Sequence, residues 1–248
     1  MKLLLKCIQV IYSVYGMIIF VLLMLLVLPF AIGASFFGKI HGGTFIYRIC
    51  GIWADIWMPL IGIYSKKILE GSYDTSKQYV FTANHISYMD VPMIVKVIRQ
   101  PVRALGKYEM SKIPVFGFLY RNAAVMVDRG SANNRARSVI ILKSVVKKGI
   151  SIFIFPEGTF NTTGKPLKEF FDGAFRIAVE TQMPIMPVIF PDTVKRLHYN
   201  SVFSFTPGKC RAVFLESIPV EGLTVKDVPA LRQKVQEAME SALKRYND

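Results

Sequence analysis

The first forty residues carry the longest hydrophobic run of the chain. No charged side chain occurs over residues 7–38. A continuous helix of that length would measure roughly 48 Å, which exceeds the ~30 Å hydrocarbon core of a bilayer. We therefore expect Pro29 and Gly33 to break it. Residues 1–40 are predicted to form a membrane segment, either a single span over residues 8–28 or a helical hairpin that enters one leaflet and returns.

Cations lie on both sides of this run. Lys2 and Lys6 precede it, whereas Lys39 and Arg48 follow it. The positive-inside rule therefore selects no orientation, although cations at both ends slightly favour the hairpin. A cleaved signal peptide would have an apolar core of only about 7–15 residues, which is shorter than this segment.

Residues 44–64 are also apolar and aromatic, but Arg48 and Asp55 interrupt them. A second span is therefore not predicted. Aromatic residues mixed with charges are typical of a helix that lies at the membrane interface, and an ordinary core helix is equally consistent. Lys66-Lys67 and residues 71–74 predict a turn before the globular part.

From Tyr79 onward, short apolar runs alternate with segments of helical periodicity. Strands are predicted at residues 79–82, 102–105, 124–127, 150–155, 184–190 and 210–217, and helices at 132–148, 172–181 and 225–246. This alternation indicates an α/β fold, with a largely parallel or mixed sheet flanked by helices, as one domain over residues 41–248. Ligands in such folds bind beyond the carboxyl ends of the strands.

Composition narrows the class of partner. The 248 residues are 52% apolar yet carry a formal charge of +14. An apolar and basic chain suits an anionic membrane surface or a phosphorylated ligand. No helix-turn-helix, zinc-finger or basic-zipper pattern supports nucleic acid as a partner. Cys7, Cys50 and Cys210 lie far apart without metal-ligand spacing, so we expect no metal and a reducing, cytosol-facing location.

The clearest chemical signal is the motif Asn84-His85-x4-Asp90, between the strand at 79–82 and a helix that begins near Val91. Side chains five apart do not meet on a straight helix, but a turn lets the carboxylate reach the imidazole. A histidine held by an aspartate is a general base with a fixed tautomer. The alternative is that Asp90 only caps the helix and His85 is an ordinary loop histidine.

Two further strand ends carry polar residues. Asp128-Arg129-Gly130-Ser131 follows the strand at 124–127, and Pro156-Glu157-Gly158-Thr159 follows the strand at 150–155. A base, a guanidinium and a glycine turn whose backbone N–H groups can approach a phosphate together predict a site for a phosphorylated ligand. Taken singly, Arg129 is equally consistent with a surface ion pair and Glu157-Gly158 with a plain turn.

These motifs resemble the glycerophospholipid acyltransferases, and within them the 1-acylglycerol-3-phosphate acyltransferases, over residues 79–188. Four blocks match in order: Asn84-His85-x4-Asp90; Lys107-x-Glu109-Met110 with Pro114 and Gly117, leading to Val125-Met126-Val127-Asp128-Arg129; Phe155-Pro156-Glu157-Gly158-Thr159; and Pro184-Ile185-Met186-Pro187-Val188. Two positions depart from the family pattern. Ala123 stands where glycine is usual, and Phe160 stands where arginine commonly follows Glu-Gly-Thr. Lys165 and Lys168 could replace the charge of that arginine, though not its bidentate geometry.

The resemblance implies transfer of a fatty acyl group to the free sn-2 hydroxyl of 1-acylglycerol 3-phosphate, which gives phosphatidate. The donor would be acyl-CoA or acyl carrier protein, with no metal or other cofactor. His85 would be the general base and Asp90 its orienter, whereas Ser87 as an acyl-enzyme nucleophile is disfavoured. The expected substrate-binding residues are Asn84, Lys107, Arg129, Glu157, Gly158, Thr159, Lys165 and Lys168. Within this set, Lys107 is a candidate oxyanion donor, and Glu157 is expected to bind a glycerol hydroxyl or to brace Arg129.

The expected location is the cytoplasmic face of a membrane, specifically a bacterial inner membrane, with membrane lipids as partners. Other functions are also consistent with the sequence. The acceptor could be glycerol 3-phosphate, another lysophospholipid or an amino-acid lipid, and the acyl group could come from a phospholipid in a transacylase reaction. A protein of another class, a catalytically silent lipid-binding membrane protein, would have no need of both His85 and Asp90.

Overall fold

Eight helices and seven strands are assigned in a computed structural model that describes residues 2–127 and 140–247. The helices are α1 (Lys2–Ser35), α2 (Gly43–Leu60), α3 (Asp90–Val97), α4 (Phe116–Ala123), α5 (140–146 within the described part), α6 (Gly173–Thr181), α7 (Thr193–Arg196) and α8 (Val228–Asn247). The strands are β1 (Ile63–Leu69), β2 (Val80–Ala83), β3 (Val102–Lys107), β4 (Ala124–Val127), β5 (Ser151–Ile154), β6 (Ile185–Ile189) and β7 (Gly208–Phe214). A π-helix at Gly38–Gly42 joins α1 to α2, and 3-10 turns lie at Tyr108–Lys112 and Val225–Asp227.

The strands form one mixed sheet in the order β1-β7-β6-β2-β5-β3-β4. The five strands from β6 to β4 are mutually parallel, β7 runs antiparallel to β6, and β1 is parallel to β7. Every residue of β2, β5 and β6 is buried, as expected for strands that helices cover on both faces. The predicted α/β class with a largely parallel or mixed sheet is confirmed.

Two apolar clusters fill the space on either side of the sheet. Residues of α1, α2 and α3 pack on one face, where Trp57 and Phe81 are among the largest buried side chains. Residues of α5, α6 and α8 pack on the other face around Phe175 and Val235. The sheet therefore separates the N-terminal helices from the C-terminal helix.

The break predicted at Pro29 and Gly33 in the N-terminal helix is wrong. α1 continues through Pro29 and Gly33 to Ser35. Proline removes one backbone hydrogen bond of a helix, and packing against a neighbouring helix can offset that cost. Among the described residues, α1 is the one helix that is long and apolar enough to cross a membrane.

The second helix returns along the first, so that α1 and α2 form an antiparallel pair. Trp57 Nε1 donates a 3.0 Å hydrogen bond to the carbonyl of Gly16, and Phe20 contacts Trp53 and Trp57 edge-on with ring centroids 4.9 and 5.3 Å apart. Near the connection, a Cβ on Gly42 would lie 2.1 Å from the carbonyl oxygen of Ala34, so the backbones approach closely there. One face of α2 is thus buried in the core, which agrees with the prediction of an ordinary core helix for residues 44–64.

A strand replaces the turn predicted at Lys66-Lys67. Both lysines lie in β1, which pairs with β7 over residues 63–69. Exposed lysines are common on edge strands, and this composition concealed the strand in the sequence. The predicted helix at 132–148 is described only from residue 140, and its earlier part lies outside the described residues. The pattern also gave no indication of α4.

Candidate active site

His85 and Asp90 meet at the carboxyl end of β2. His85 Nδ1 lies 2.9 Å from Asp90 Oδ2, and the same oxygen accepts hydrogen bonds of 2.9 Å from the backbone N–H groups of Ile86 and Ser87. Asp90 is fully buried at the start of α3. A carboxylate oxygen accepts hydrogen bonds, so this contact favours the tautomer of His85 with the proton on Nδ1 and a lone pair on Nε2. Asp90 therefore holds both the turn and the imidazole.

Aromatic rings enclose the imidazole of His85. Phe155 stacks on it with ring centroids 3.8 Å apart and an interplanar angle of 11°, and Phe160 lies 4.3 Å away at 60°. Tyr88 in turn contacts Phe160 edge-on at 4.8 Å. These contacts fix the plane of the ring and shield its faces from water, while the His85 side chain stays 19% exposed. The sequence motifs did not assign this role to Phe155, although it directly precedes Pro156-Glu157.

Glu157 joins the histidine turn to a second loop. Its Oε1 accepts a 2.7 Å hydrogen bond from the backbone N–H of His85, and its Oε2 accepts one of 2.8 Å from the backbone N–H of Lys168. The side chain is fully buried. Burial raises the pKa of Glu157 from 4.5 to about 7, and the two backbone hydrogen bonds oppose that rise. Backbone N–H groups of this chain thus engage both oxygens. The expected bracing of Arg129 by Glu157 falls outside the described residues.

The loop after β5 makes a tight turn beside His85. Gly158 has φ of +73°, a left-handed conformation that favours glycine. Lys168 Nζ donates a 2.8 Å hydrogen bond to Thr159 Oγ1, so an ammonium group lies at this turn. The backbone N–H of Asn161 donates to the carbonyl of His85 at 2.7 Å. Lys165 contributes its carbonyl to Asn161 Nδ2 and its side chain is exposed.

The amide of Asn84 bonds to the backbone of Phe190 at a neighbouring strand end. Its side chain is buried, and it accepts from the backbone N–H of Phe190 at 2.7 Å and donates to the carbonyl of the same residue at 3.2 Å. It therefore links the end of β2 to the end of β6. The buried Ser87 Oγ donates to the carbonyl of Leu197 and accepts from the N–H of Met89. Its hydroxyl is consequently engaged on both sides.

The two remaining candidates belong to β3 and to the segment after β4. Lys107 is the last residue of β3, at the same edge of the parallel strands as His85, and it is exposed. Its Nζ lies 3.9 Å from Glu109 Oε1, too far for a strong ion pair. Arg129 lies outside the described residues. The described strand ends thus bring together His85, Asp90, the Gly158 turn and Lys168, with Lys107 at the same edge.

Comparison with known proteins identifies the family of this chain. The sequence profile of the family described as Acyltransferase matches residues 66–191, a range that includes His85, Asp90 and Glu157. The chain belongs to the acyltransferase family.

Similar proteins within that family share one described activity. The human 1-acyl-sn-glycerol-3-phosphate acyltransferase alpha is 30% identical over 169 residues, 67% of this chain and 59% of the human protein. The human beta protein is 32% identical over 162 residues, 64% of this chain and 58% of its own length. The chain therefore spans somewhat less than two thirds of the length of these relatives.

A crystal structure extends the likeness to the whole fold. The 1-acyl-sn-glycerophosphate (LPA) acyltransferase PlsC of Thermotoga maritima superposes with a TM-score of 0.73 at 22% identity, over 99% of this chain and 98% of that chain. The shared region includes the N-terminal helices as well as the sheet. At this identity the likeness is one of fold.

Proposed function

We propose that the chain is a 1-acylglycerol-3-phosphate O-acyltransferase, which moves a fatty acyl group from acyl-CoA or acyl carrier protein to the sn-2 hydroxyl and produces phosphatidate. The observation that carries this proposal is the 2.9 Å contact between His85 Nδ1 and Asp90 Oδ2 at the carboxyl edge of the sheet. The activity described for the human relatives supports the same reaction.

In this mechanism Nε2 of His85 removes the proton from the acceptor hydroxyl as its oxygen attacks the thioester carbonyl carbon. Asp90 stabilises the imidazolium that forms, since its carboxylate is buried against Nδ1. The carbon–sulfur bond of the tetrahedral intermediate then breaks, and the leaving thiolate takes the proton from Nε2. The ester and a free thiol are the products, and the step needs no nucleophilic side chain.

The phosphate of the acceptor is proposed to bind near the Gly158 turn. Lys168 is held there by Thr159, and Lys107 adds a second cation at the same edge. Arg129 stays in the proposal on the basis of its motif. Glu157 and Asn84 are proposed as positioning residues, because their side chains bond to the backbone of His85, Lys168 and Phe190.

Phe160 supports a second candidate for the acceptor. An apolar ring lies 4.3 Å from the imidazole of His85, at a position where the family commonly has arginine. An acceptor with a less anionic head group, such as another lysophospholipid or an amino-acid lipid, would suit this surface. A transacylase that takes its acyl group from a phospholipid would use the same base.

The proposed location is a membrane, with the active site on the cytoplasmic face and, by our expectation, in a bacterial inner membrane. The support comes from α1, which exposes Leu22, Leu26 and Phe30 along a 34-residue helix without an acidic residue. Both the lysophospholipid and the acyl tail partition into lipid, so a site next to the bilayer meets them there. Membrane lipids are therefore the proposed partners in addition to the acyl donor.

Thiol release from acyl-CoA, followed with a panel of acceptors, tests the function. The panel contains lysophosphatidate, lysophosphatidylcholine, glycerol 3-phosphate and a lyso amino-acid lipid. We expect release to depend on lysophosphatidate and to fall by about 10²–10⁴ in His85→Ala and Asp90→Asn. His198→Ala is the matched control. It also removes an imidazole, but the contacts of that ring are with Tyr199 and the N–H of Asn200 and not with His85 or Asp90. Release without any acceptor would indicate a thioesterase instead, and near-normal turnover of His85→Ala would overturn the base.

A further inference from the structure

Two adjoining grooves lie beside the connection between α1 and α2. The first, here called the apolar groove, has a volume of about 540 Å³ and is lined chiefly by Pro29, Phe30, Gly33, Phe37 and Phe45. The second, here called the basic groove, has a volume of about 330 Å³, and its lining includes Arg48, Lys148 and the residues that directly precede β3 and β5. His41 and Phe45 line both, so the two grooves share a wall.

These grooves lie at the opposite edge of the sheet from the candidate active site. Pro101 and Ile150, which line the basic groove, directly precede β3 and β5. His85, in contrast, follows the end of β2, and β2 is parallel to β5. A four-residue strand spans roughly 13 Å, so at least that distance separates the two places. The grooves are therefore not part of the acyl-transfer site.

The basic groove contains cations without counter-ions. Arg48, Lys148 and His41 are exposed, and within residues 2–127 and 140–247 their side chains make no hydrogen bond or ion pair. The lining of both grooves includes no aspartate or glutamate. Lys147 directly precedes Lys148, Lys39 lies two residues before His41, and both lysines are also exposed. This groove thus has an uncompensated positive charge that favours an anion.

A buried arginine fixes the segment between the two grooves. Arg103 Nη2 donates hydrogen bonds of 2.9 Å to the carbonyls of Lys39 and Ile40 and one of 3.1 Å to Thr44 Oγ1. Its side chain is buried beneath the π-helix that carries His41. The wall shared by the grooves is therefore ordered before any ligand binds, which lowers the entropic cost of binding.

We propose that the two grooves together bind an anionic glycerophospholipid of the bilayer, with its phosphate at Arg48 and Lys148 and one acyl chain in the apolar groove. Basic pockets beside membrane helices are known to hold lipid head groups, and both volumes lie within the usual range of ligand pockets. A free phosphate would leave the apolar groove unused. The uncharged head of a neutral lipid would leave the cations unpaired.

The proposed head-group site is tested by measuring lipid binding to the full chain in detergent. Native mass spectrometry is used with phosphatidylglycerol, phosphatidylcholine and glycerol 3-phosphate. No acyl donor is present, so the result does not depend on the proposed reaction. We expect phosphatidylglycerol to bind preferentially, and Arg48→Gln/Lys148→Gln to bind it about thirtyfold less tightly, from about 1 kcal/mol for each cation. Lys226→Gln/Lys234→Gln removes the same charge from the C-terminal region and should bind as the parent does.

The proposed acyl-chain site in the apolar groove is tested by a substitution at Gly33, where an added Cβ would meet no atom within 4 Å. Gly33→Leu should fill the apolar groove and reduce phosphatidylglycerol binding at least tenfold without loss of thermal stability. Gly173→Leu is the matched control, because a Cβ there also meets open space. Equal binding of phosphatidylcholine, equally tight binding of glycerol 3-phosphate, or unchanged binding in either groove variant would overturn the proposal.

Discussion

The backbone N–H of His85 donates a 2.7 Å hydrogen bond to Oε1 of Glu157, a residue 72 positions later in the chain. This bond joins the loop after β2 to the loop after β5, and the second oxygen of Glu157 extends the link to Lys168. The position of the proposed base is consequently set by a buried carboxylate on a neighbouring strand end. Two motifs that are separate in sequence act as one structural unit.

The raised pKa of Glu157 predicts a pH-dependent stability. Between pH 4.5 and about 7, the folded chain retains a proton that the unfolded chain has released, so the free energy of unfolding decreases as pH rises. The full effect of this group is about 3 kcal/mol. Glu157→Gln should flatten the dependence, as measured by denaturant unfolding in detergent between pH 5 and pH 8. An unaltered slope in the variant would assign the dependence to another group.

Ser87→Ala tests whether Ser87 has a structural role or acts as a nucleophile. The buried hydroxyl bonds to Leu197 and Met89, so its removal leaves those backbone groups unpaired and should cost about 1–3 kcal/mol of stability. Turnover per folded molecule should stay within a few fold of the parent, because direct transfer uses no serine. A folded variant with a thousandfold loss of thiol release would instead support an acyl-enzyme.

Phe160→Arg should alter the choice of acceptor. The guanidinium would replace an apolar ring beside His85 and add a bidentate donor for phosphate. We expect kcat/KM for lysophosphatidate to rise relative to lysophosphatidylcholine by about 10- to 100-fold, because charged hydrogen bonds contribute about 1.5–3 kcal/mol. Phe160→Tyr retains the ring and should leave the ratio near that of the parent. A ratio that does not move in the arginine variant would place the phosphate elsewhere.

Gly42→Ala and Gly33→Ala test the packing of α1 against α2. A Cβ on Gly42 would lie 2.1 Å from the Ala34 carbonyl oxygen, whereas one on Gly33 would meet nothing within 4 Å. The first substitution should therefore lower the midpoint of thermal unfolding in detergent. The second should be neutral or stabilise by about 0.5–1 kcal/mol, since alanine favours a helix interior over glycine. Equal midpoints for the two variants would contradict the close approach of the helices.

The sequence predicted the elements whose signals are local. The apolar runs predicted β2, β5 and β6, and the position of His85 and Asp90 between a strand and a helix indicated a turn in which the two side chains could meet. β1 escaped prediction because Lys66 and Lys67 make an exposed edge strand look like a turn, and its partner β7 lies more than a hundred residues away. Asn84 and its partner Phe190 are 106 residues apart, and Glu157 and His85 are 72 residues apart. Contacts of that separation depend on tertiary packing, which no local pattern encodes.

The path of α1 is a second feature that local sequence patterns did not predict. A proline inside an apolar run predicts a break, yet the helix continues through Pro29, and α2 packs alongside it. The energy of that packing depends on Trp53 and Trp57, which lie well beyond the predicted membrane segment. Pattern rules treat each helix as isolated, and here the decisive contact is between two helices.

Met24, Ala31 and Ala34 of α1 belong to the same buried cluster as Trp57 and the sheet. The N-terminal helix is consequently not a tether from which the rest of the chain could be cut, because removing residues 1–40 would strip part of the core. If the chain lies at a membrane as proposed, the distance from the bilayer to His85 is set by the packing of α1 against the sheet and not by a flexible linker.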